Sequence, residues 1–345
     1  MKKLILLLSL CVAIFTANAQ IFTEYFQTAP IGGNLEGYND WHVSPKSSEA
    51  YGVSPKIAEG ALFYTGYAGS NIGNVAVLDS AVGATSATQR ISTKIVKFGS
   101  DTLKAVVGEK IYTAFLVNIS SHSYRSYRDF FTYEGSKTSS SMTRGRVFAK
   151  VSADGSELFV AVTKNSSTAA DYVESTSIPG LTLYPDVNHL FVLVYETIAG
   201  DSNDKITLYI NPDLTKSEAE QTNKLVAIDT QTDYSATAGL GINLRQRGIS
   251  AQIGGIRVGK SWDKVLVEGA NAVNTPKNSS AAIWTSGKNI LTNTRGTIKI
   301  FNLAGAELIS AQTDGCLTTN LSKGLYIAQF NGIDGHTAVS KISLN

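Results

Sequence analysis

Cysteine, proline and charged residues are all scarce in this chain of 345 residues. It contains 2 cysteines and 7 prolines, and only 17% of its residues are charged. The low charge, together with a hydrophobic fraction of 43%, excludes an intrinsically disordered chain and predicts a globular protein with a buried core. One cysteine, Cys11, lies in a segment that we expect to be removed, so Cys316 would be left without a disulfide partner.

Residues 1–19 have the pattern of a secretory signal peptide. They begin with Lys2 and Lys3, continue with an apolar run, and end on a small-x-small sequence at Ala17 and Ala19. The apolar run is too short to span ~30 Å of hydrocarbon comfortably. We therefore expect cleavage before Gln20 and no membrane span in the mature chain.

No excess of positive charge remains once this segment is removed. The whole chain has 30 basic and 28 acidic residues, so loss of Lys2 and Lys3 leaves a formally neutral protein. Contacts with the phosphates of nucleic acids need a concentrated basic surface. The composition therefore argues against nucleic acid as a partner.

Glycine is abundant, at 30 residues, and the segments between glycines are rich in Thr, Tyr, Val and Ile, which favours strands joined by tight turns. Apolar and polar residues alternate on both sides of Ala153-Asp154-Gly155, which predicts a hairpin. The run HLFVLVY, from His189 to Tyr195, is apolar almost throughout and predicts a central strand covered on both faces. We predict an all-β fold for residues 20–268, a two-sheet antiparallel jelly-roll sandwich.

The composition changes after Trp262. Residues 269–280 are small and polar and include Pro276, which is typical of a linker. Further short strand patterns follow over residues 281–345. They predict a second, small β-sandwich at the C-terminus.

This C-terminal segment resembles the sorting domain of proteins that Bacteroidetes export through the type IX secretion system. The matching residues are Asn302, Leu303, Gly305, the run Gly324, Leu325, Tyr326 and Ile327, and Lys341. The resemblance implies that the type IX secretion machinery is a partner. It also implies that the protein passes through the periplasm and is secreted or held at the outer-membrane cell surface.

The larger segment resembles the laminin-G-like and concanavalin-A-like jelly rolls that precede such sorting domains. The similar stretches are GALFYTGYAGSNIGNVAVLDS (60–80), YTAFLVNIS (112–120), DKITLYINPD (204–213) and IGGIRVGKSWDKV (253–265). These motifs are structural, so the resemblance implies a fold more than an activity. The wider superfamily includes glycoside hydrolases, lyases and lectins.

Catalytic signatures of those enzymes are scarce, and we assign no catalytic residue. The sequence has no Glu-x-Asp-x-Glu triplet, and Glu218 and Glu220 fall in a charged stretch that we interpret as a solvated loop. The segment SHSYRSYRDFF supplies Tyr124, Arg125, Tyr127 and Arg128, our candidates for contact with a glycan, and His122 beside them could serve a lyase. An ordinary surface loop is the alternative.

Two further candidate sites depend on single segments. Trp41 lies in a stretch rich in Gly, Asn and Asp, where it could face a sugar or plug the core. Asp201, Asn203 and Asp204 could bind calcium, or could simply cap backbone amides in a turn. His42, His122, His189 and His336 lack zinc spacing, and we expect no cofactor other than possible calcium.

Taken together, these patterns favour an exported protein that binds a glycan or a surface protein. A polysaccharide-degrading enzyme, either a glycoside hydrolase or a lyase, is the first alternative. A structural component of the cell surface without a small ligand is the second.

Overall fold

A computed structural model describes residues 20–43, 54–81, 90–95, 97–98, 101–102, 107–134, 143–233, 241–267, 283–286, 288–292, 295–303, 305–313, 316–332 and 337–344. The predicted signal peptide and the predicted linker lie outside these residues. Contacts between Cα atoms divide the chain into two compact units, Met1–Gly269 and Ala270–Asn345. No helix within the described ranges has the length and apolar character needed to cross a membrane.

The described part of the first unit is built almost entirely of antiparallel strands. In chain order they are β1 (Gln20–Glu24), β2 (His42–Val43), β3 (Lys56–Ala58), β4 (Val75–Leu78), β5 (Arg90–Ile95), β6 (Lys97–Phe98), β7 (Asp101–Thr102), β8 (Lys110–Ile119), β9 (Arg128–Glu134), β10 (Thr143–Val151), β11 (Leu158–Thr163), β12 (Val173–Glu174), β13 (Asn188–Glu196), β14 (Lys205–Ile210), β15 (Lys224–Ala227), β16 (Gly241–Gln246) and β17 (Ala251–Gly259). The predicted all-β class is confirmed.

These strands form two large sheets and a small ribbon. Sheet I has the order β15-β14-β13-β8-β17-β4-β3, with β1 also paired to β17. Sheet II has the order β12-β11-β10-β9-β16-β5-β2, and β6 pairs with β7. Some neighbours, such as β10 and β11, are consecutive in the chain, whereas pairings such as β13 with β8, β8 with β17 and β9 with β16 join segments far apart in sequence.

The two sheets pack face to face through a continuous apolar core. Phe115 of sheet I stacks on Phe131 of sheet II with ring centroids 4.0 Å apart, and Phe191 meets Phe115 edge-on. In β13, which lies between β14 and β8, residues 189–195 are all buried. The predicted central strand is therefore confirmed.

The hairpin predicted around Asp154 joins β10 to β11, which pair from Arg146–Thr163 to Val151–Leu158. Val147, Ala149 and Val151 belong to the core between the sheets. Because successive side chains of a strand point to opposite faces, the residues between them lie on the outer face of sheet II. That face positions much of the candidate site.

Helical structure in the described part of the first unit is short. It consists of α1 (Trp262–Leu266) and 3₁₀ turns at Ala169–Asp171, Ser175–Ser177 and Glu218–Glu220. Trp262 packs edge-on against Tyr209 with centroids 4.8 Å apart, as expected of a packing residue.

The second unit is also antiparallel. Its described strands are β18 (Ile283–Ser286), β19 (Asn289–Thr292), β20 (Gly296–Phe301), β21 (Glu307–Thr313), β22 (Cys316–Thr318), β23 (Gly324–Gly332) and β24 (Thr337–Leu344). Sheet III has the order β21-β20-β23-β24, and sheet IV has the order β18-β19-β22. Ile290 of sheet IV shares a core with Ile298, Ile300 and Phe330 of sheet III.

Candidate functional site

The loop between β8 and β9 forms one wall of an open cleft of about 610 Å³. This volume lies within the range of small-molecule sites in proteins, about 300–1,000 Å³. Five of the seven described lining residues, His122 to Ser126, belong to the segment SHSYRSYRDFF. The described lining is Ser80, Ala81, His122, Ser123, Tyr124, Arg125 and Ser126.

Hydrogen bonds hold this loop in a defined shape. The Ser123 hydroxyl donates to the carbonyl of Ser250, and the Ser250 amide donates back to the Ser123 hydroxyl, both at 3.0 Å. Arg125 Nη1 donates to the carbonyls of Ser121 at 2.8 Å and Ser123 at 3.3 Å. The loop is thus fixed to the body of the sandwich while the side chains of His122 and Arg125 remain exposed.

Tyr124 connects the cleft to sheet II. Its amide donates to the carbonyl of Gly248 at 3.3 Å, and the Arg128 guanidinium lies 5.0 Å from the centre of its ring. Gly248 has a φ of +88°, and a Cβ there would stand 2.8 Å from Cδ2 of Tyr124. Glycine is therefore required at this position for both its conformation and its lack of a side chain.

Beyond Arg128, the outer face of sheet II carries a group that we call the arginine cluster: Asp129, Arg146, Arg245 and Arg247. Oδ2 of Asp129 accepts from Arg146 Nη2 at 2.9 Å, from Arg146 Nε at 3.2 Å and from Arg245 Nη1 at 2.6 Å. Its Oδ1 accepts from Arg247 Nη1 at 2.8 Å. Strands β9, β10 and β16 supply Asp129, Arg146 and Arg245, and Arg247 directly follows β16.

Asp129 is only 2% exposed, yet it remains ionised. Burial by itself would raise the pKa of its carboxyl group, but Arg245, Arg146 and Arg247 together hold that pKa well below its usual range. One carboxylate faces three guanidinium groups, so the arginine cluster has a net charge of two positive. This is a marked local excess in a chain whose formal charge is only +2.

Aromatic rings continue the same face toward its edge strand. Tyr172 contacts Tyr127 edge-on at 5.4 Å and Phe148 at 4.6 Å between ring centroids. The Tyr127 hydroxyl donates to Glu174 Oε2 at 3.0 Å, and Lys150 Nζ lies 4.2 Å from the Tyr127 ring centre. Burial, and then the bond to Glu174, raise the pKa of Tyr127, so its hydroxyl stays protonated.

The four candidates of the SHSYRSYRDFF segment therefore do not form a single group. Tyr124 and Arg128 touch each other, Arg125 turns back onto its own loop, and Tyr127 joins the aromatic row of sheet II. Only Tyr124 and Arg125 are among the described residues that line the cleft.

Trp41 has no place in this site, because the structure puts it in the core. It is 1% exposed, its indole N–H donates to Glu24 Oε2 at 3.1 Å, and its ring packs against Phe26 at 6.2 Å between centroids. Its interpretation as a sugar-facing aromatic is therefore corrected. The core alternative fits the observed burial and leaves no open face for a ligand.

Two of the three predicted calcium candidates, Asn203 and Asp204, are engaged in turn contacts, and the third, Asp201, is exposed. Asp204 accepts from the Ile198 amide at 2.7 Å and from the Tyr195 hydroxyl. The amides of Asn203 and Asp204 donate to Asp233 at 2.9 and 3.0 Å. Within the ranges that the structure describes, no group of three or more His, Cys, Asp and Glu side chains is arranged to hold a metal ion.

The residues of the predicted sorting signal meet at one end of sheet III. Gly305 lies in the turn after β20 with a φ of +84°. The end of β20 pairs with the start of β23, where Gly324, Leu325 and Tyr326 lie, and Lys341 of β24 stands opposite Ile327. Lys341 and Leu325 are exposed, whereas the Tyr326 ring packs on the core and its hydroxyl donates to the Ser322 carbonyl at 2.7 Å.

Sequence reasoning missed two features of the first unit. Glu218, interpreted as a residue of a solvated loop, is half-buried and accepts from Lys110 at 2.9 Å, Tyr112 at 2.7 Å and Tyr209 at 3.0 Å. The arginine cluster was also missed. Its available signal was the spacing of Arg245 and Arg247, because two basic residues two positions apart in a strand lie on the same face.

No protein-family model matches the chain, and no curated protein matches it. Among solved structures, it aligns with an endo-β-1,4-glucuronan lyase from the fungus Trichoderma reesei at a TM-score of 0.35 and 10% identity, covering 72% of this chain and 98% of that one. A GH131 β-glucanase catalytic domain from Podospora anserina aligns at 0.33 and 10%, covering 69% and 100%. The exoplasmic/lumenal domain of VIP36, in a Ca²⁺- and Man-bound form, aligns at 0.31 and 10%, covering 66% and 94%. At such low scores and identities, function has to be argued from the site itself.

Proposed function

We propose that this protein binds a glycan outside the cell, through the cleft beside the β8–β9 loop. The observation that carries the proposal is the cleft of about 610 Å³ lined by His122, Tyr124 and Arg125 together with three serines. Hydroxyl, imidazole and guanidinium groups supply the donors and acceptors that sugar hydroxyls need, and a tyrosine ring adds an apolar face. The attachment of the loop supports binding because little loop order has to be created when a ligand arrives.

A polysaccharide lyase is the second candidate, and one observation favours it. His122 and Tyr124, two side chains able to accept a proton, line the same cleft as Arg125, whose charge could neutralise a uronic carboxylate. A lyase of this kind would release unsaturated products from a polyuronate. A lectin would bind the polymer and leave it intact.

The experiment is a carbohydrate screen with the purified chain, run with and without calcium and followed both for binding and for unsaturated products. Arg125→Gln should weaken binding by removing an exposed cation from the cleft wall. Lys216→Gln is the matched control because Lys216 is exposed, pairs with Asp213 on the surface, and carries the same charge. Retention of binding in Arg125→Gln, or loss in Lys216→Gln to the same degree, would contradict the assignment of the cleft.

We further propose that the second unit is a sorting domain read by the type IX secretion machinery, which would place the protein outside the cell or on its surface. The grouping of Gly305, Gly324, Leu325 and Lys341 at one end of sheet III supports this, since a receptor can read residues that share one end of a rigid sheet. Deletion of residues 324–345 should leave the protein in the periplasm.

That deletion also removes β23 and β24, so a second variant that preserves the fold of the unit is needed. Lys341→Ala changes an exposed side chain and keeps the strand pairing, and Lys323→Ala is an exposed control in the same unit. Retention of the Lys341→Ala protein in the periplasm, with Lys323→Ala exported normally, is the expected result. Normal export of both the deletion variant and the Lys341→Ala variant would contradict the proposal that the second unit is a sorting domain.

A further inference from the structure

The arginine cluster contains more positive charge than its buried acid requires. Pairing Asp129 with one arginine would be enough to neutralise its charge, yet Arg146, Arg245 and Arg247 all point their guanidinium groups at it. Gathering three like charges is unfavourable unless something else compensates the excess. An anion placed against this face would offset part of this positive charge.

Two arginines at this place retain hydrogen-bonding capacity. Arg247 uses Nη1 for Asp129, while its Nε is buried and finds no hydrogen-bond partner among the residues that the structure describes. The Nε of Arg128 is likewise buried with no acceptor in the described part of the chain, and its guanidinium stacks on the Tyr124 ring. Buried polar atoms are normally hydrogen-bonded, so these two donors point to a missing acceptor.

The location links this charge to the cleft. Tyr124 lines the cleft, Arg128 lies against its ring, and Arg247 immediately precedes Gly248, which the ring of Tyr124 covers. The side chain of Arg247 is 22% exposed, so an external anion can reach it. A polymer in the cleft would therefore have a cationic surface beside it.

We infer that Arg128 and Arg247 bind the anionic groups of an acidic polysaccharide, either carboxylates or sulfate esters, which makes the ligand of the cleft a charged glycan. This inference rests on the proposed function and narrows it to one class of ligand. The planar guanidinium group suits these anions because it can offer two parallel N–H donors to two oxygens. Asp129 acts here as a positioning residue for Arg247, because its Oδ1 holds Arg247 Nη1 at 2.8 Å.

The test compares three polymers: polygalacturonate, dextran sulfate and uncharged dextran. Binding is measured by calorimetry for the wild-type chain and for Arg247→Gln, Arg128→Gln and Lys216→Gln, with melting temperatures recorded to verify folding. We expect at least one acidic polymer to bind, with affinity reduced about tenfold or more in each arginine variant, as for loss of a charge-assisted hydrogen bond. The Lys216→Gln control should bind as wild type does.

Each outcome separates the inference from the proposed function. If polygalacturonate alone binds, the anion is a carboxylate, and if dextran sulfate alone binds, it is a sulfate ester. Equal binding of uncharged dextran, or unchanged affinity for the acidic polymers in both folded arginine variants, would overturn the inference and leave glycan binding in place. If none of the three polymers and no glycan in the wider screen binds, both the inference and the proposed glycan binding are contradicted.

Discussion

Replacement of Trp41 tests whether this residue stabilises the fold or binds a ligand. Its side chain is 1% exposed and packs on Phe26, and its indole N–H is one of three donors to Glu24, which is itself 2% exposed. The other two donors are the Phe26 amide at 3.0 Å and Asn39 Nδ2 at 3.1 Å. Trp41 therefore contributes both an apolar contact with Phe26 and a hydrogen bond to the buried carboxylate of Glu24.

The expected magnitude follows from these two contributions. Truncation of a buried aromatic residue to alanine costs about 3–5 kcal/mol, and a buried polar group that loses its partner costs about 1–3 kcal/mol. Trp41→Ala should therefore remove several kcal/mol from a total free energy of unfolding that is typically about 5–15 kcal/mol. Trp41→Phe retains most of the packing but loses the donor to Glu24, so it should cost about 2 kcal/mol.

The assay is urea denaturation followed by circular dichroism, with the shift confined to the transition of the first unit if the two units unfold separately. Tyr184→Ala is the matched control, because its side chain is 55% exposed and its loss should change stability by less than about 0.5 kcal/mol. Stability of Trp41→Ala within 1 kcal/mol of wild type, combined with a loss of glycan binding, would refute this reasoning.

Two further predictions concern buried ionisable groups. Lys164→Met should destabilise the first unit by about 3–5 kcal/mol in urea denaturation. The Lys164 side chain is 0% exposed and its Nζ lies 2.7 Å from Asp233 Oδ1, so the substitution leaves this carboxylate without its cationic partner. The more exposed Lys205→Met should cost less than about 1 kcal/mol, and equal losses in both variants would contradict the argument. Burial lowers the pKa of His189 below its ordinary value of 6.5, so the folded protein holds it neutral and the unfolded chain binds more protons as the pH falls. The free energy of unfolding should therefore fall as the pH drops below about 6.5 toward the folded pKa, and identical pH profiles for wild type and His189→Gln would refute this role.

The sandwich fold was predictable because its signals are local. Alternation on both sides of Asp154 identified the β10–β11 hairpin, and the apolar run from His189 to Tyr195 identified a central strand. Such patterns record which face of a strand is buried, and burial is the dominant energy of a sheet. The cleft loop was also predictable in part, since Tyr124 and Arg125 stand close together in sequence.

The environments of single residues were less predictable. Trp41 lies in a stretch whose composition indicates a loop, yet a carboxyl group 17 positions earlier receives its indole N–H in the core. Glu218 lies in a charged segment, yet hydroxyl groups of Tyr112 and Tyr209 hold it against sheet I. In each case the deciding contact comes from another strand or loop, and local composition carries no record of it.

By itself, the sequence determined the all-β class, the main strands and the loop that borders the cleft, because backbone preferences and alternating hydrophobicity act over a few neighbouring residues. Only the tertiary structure decided which charges meet, since Asp129 and Arg245 are 116 positions apart and reach 2.6 Å through the pairing of β9 with β16. The arginine cluster exists because that pairing places distant residues on one face of a sheet.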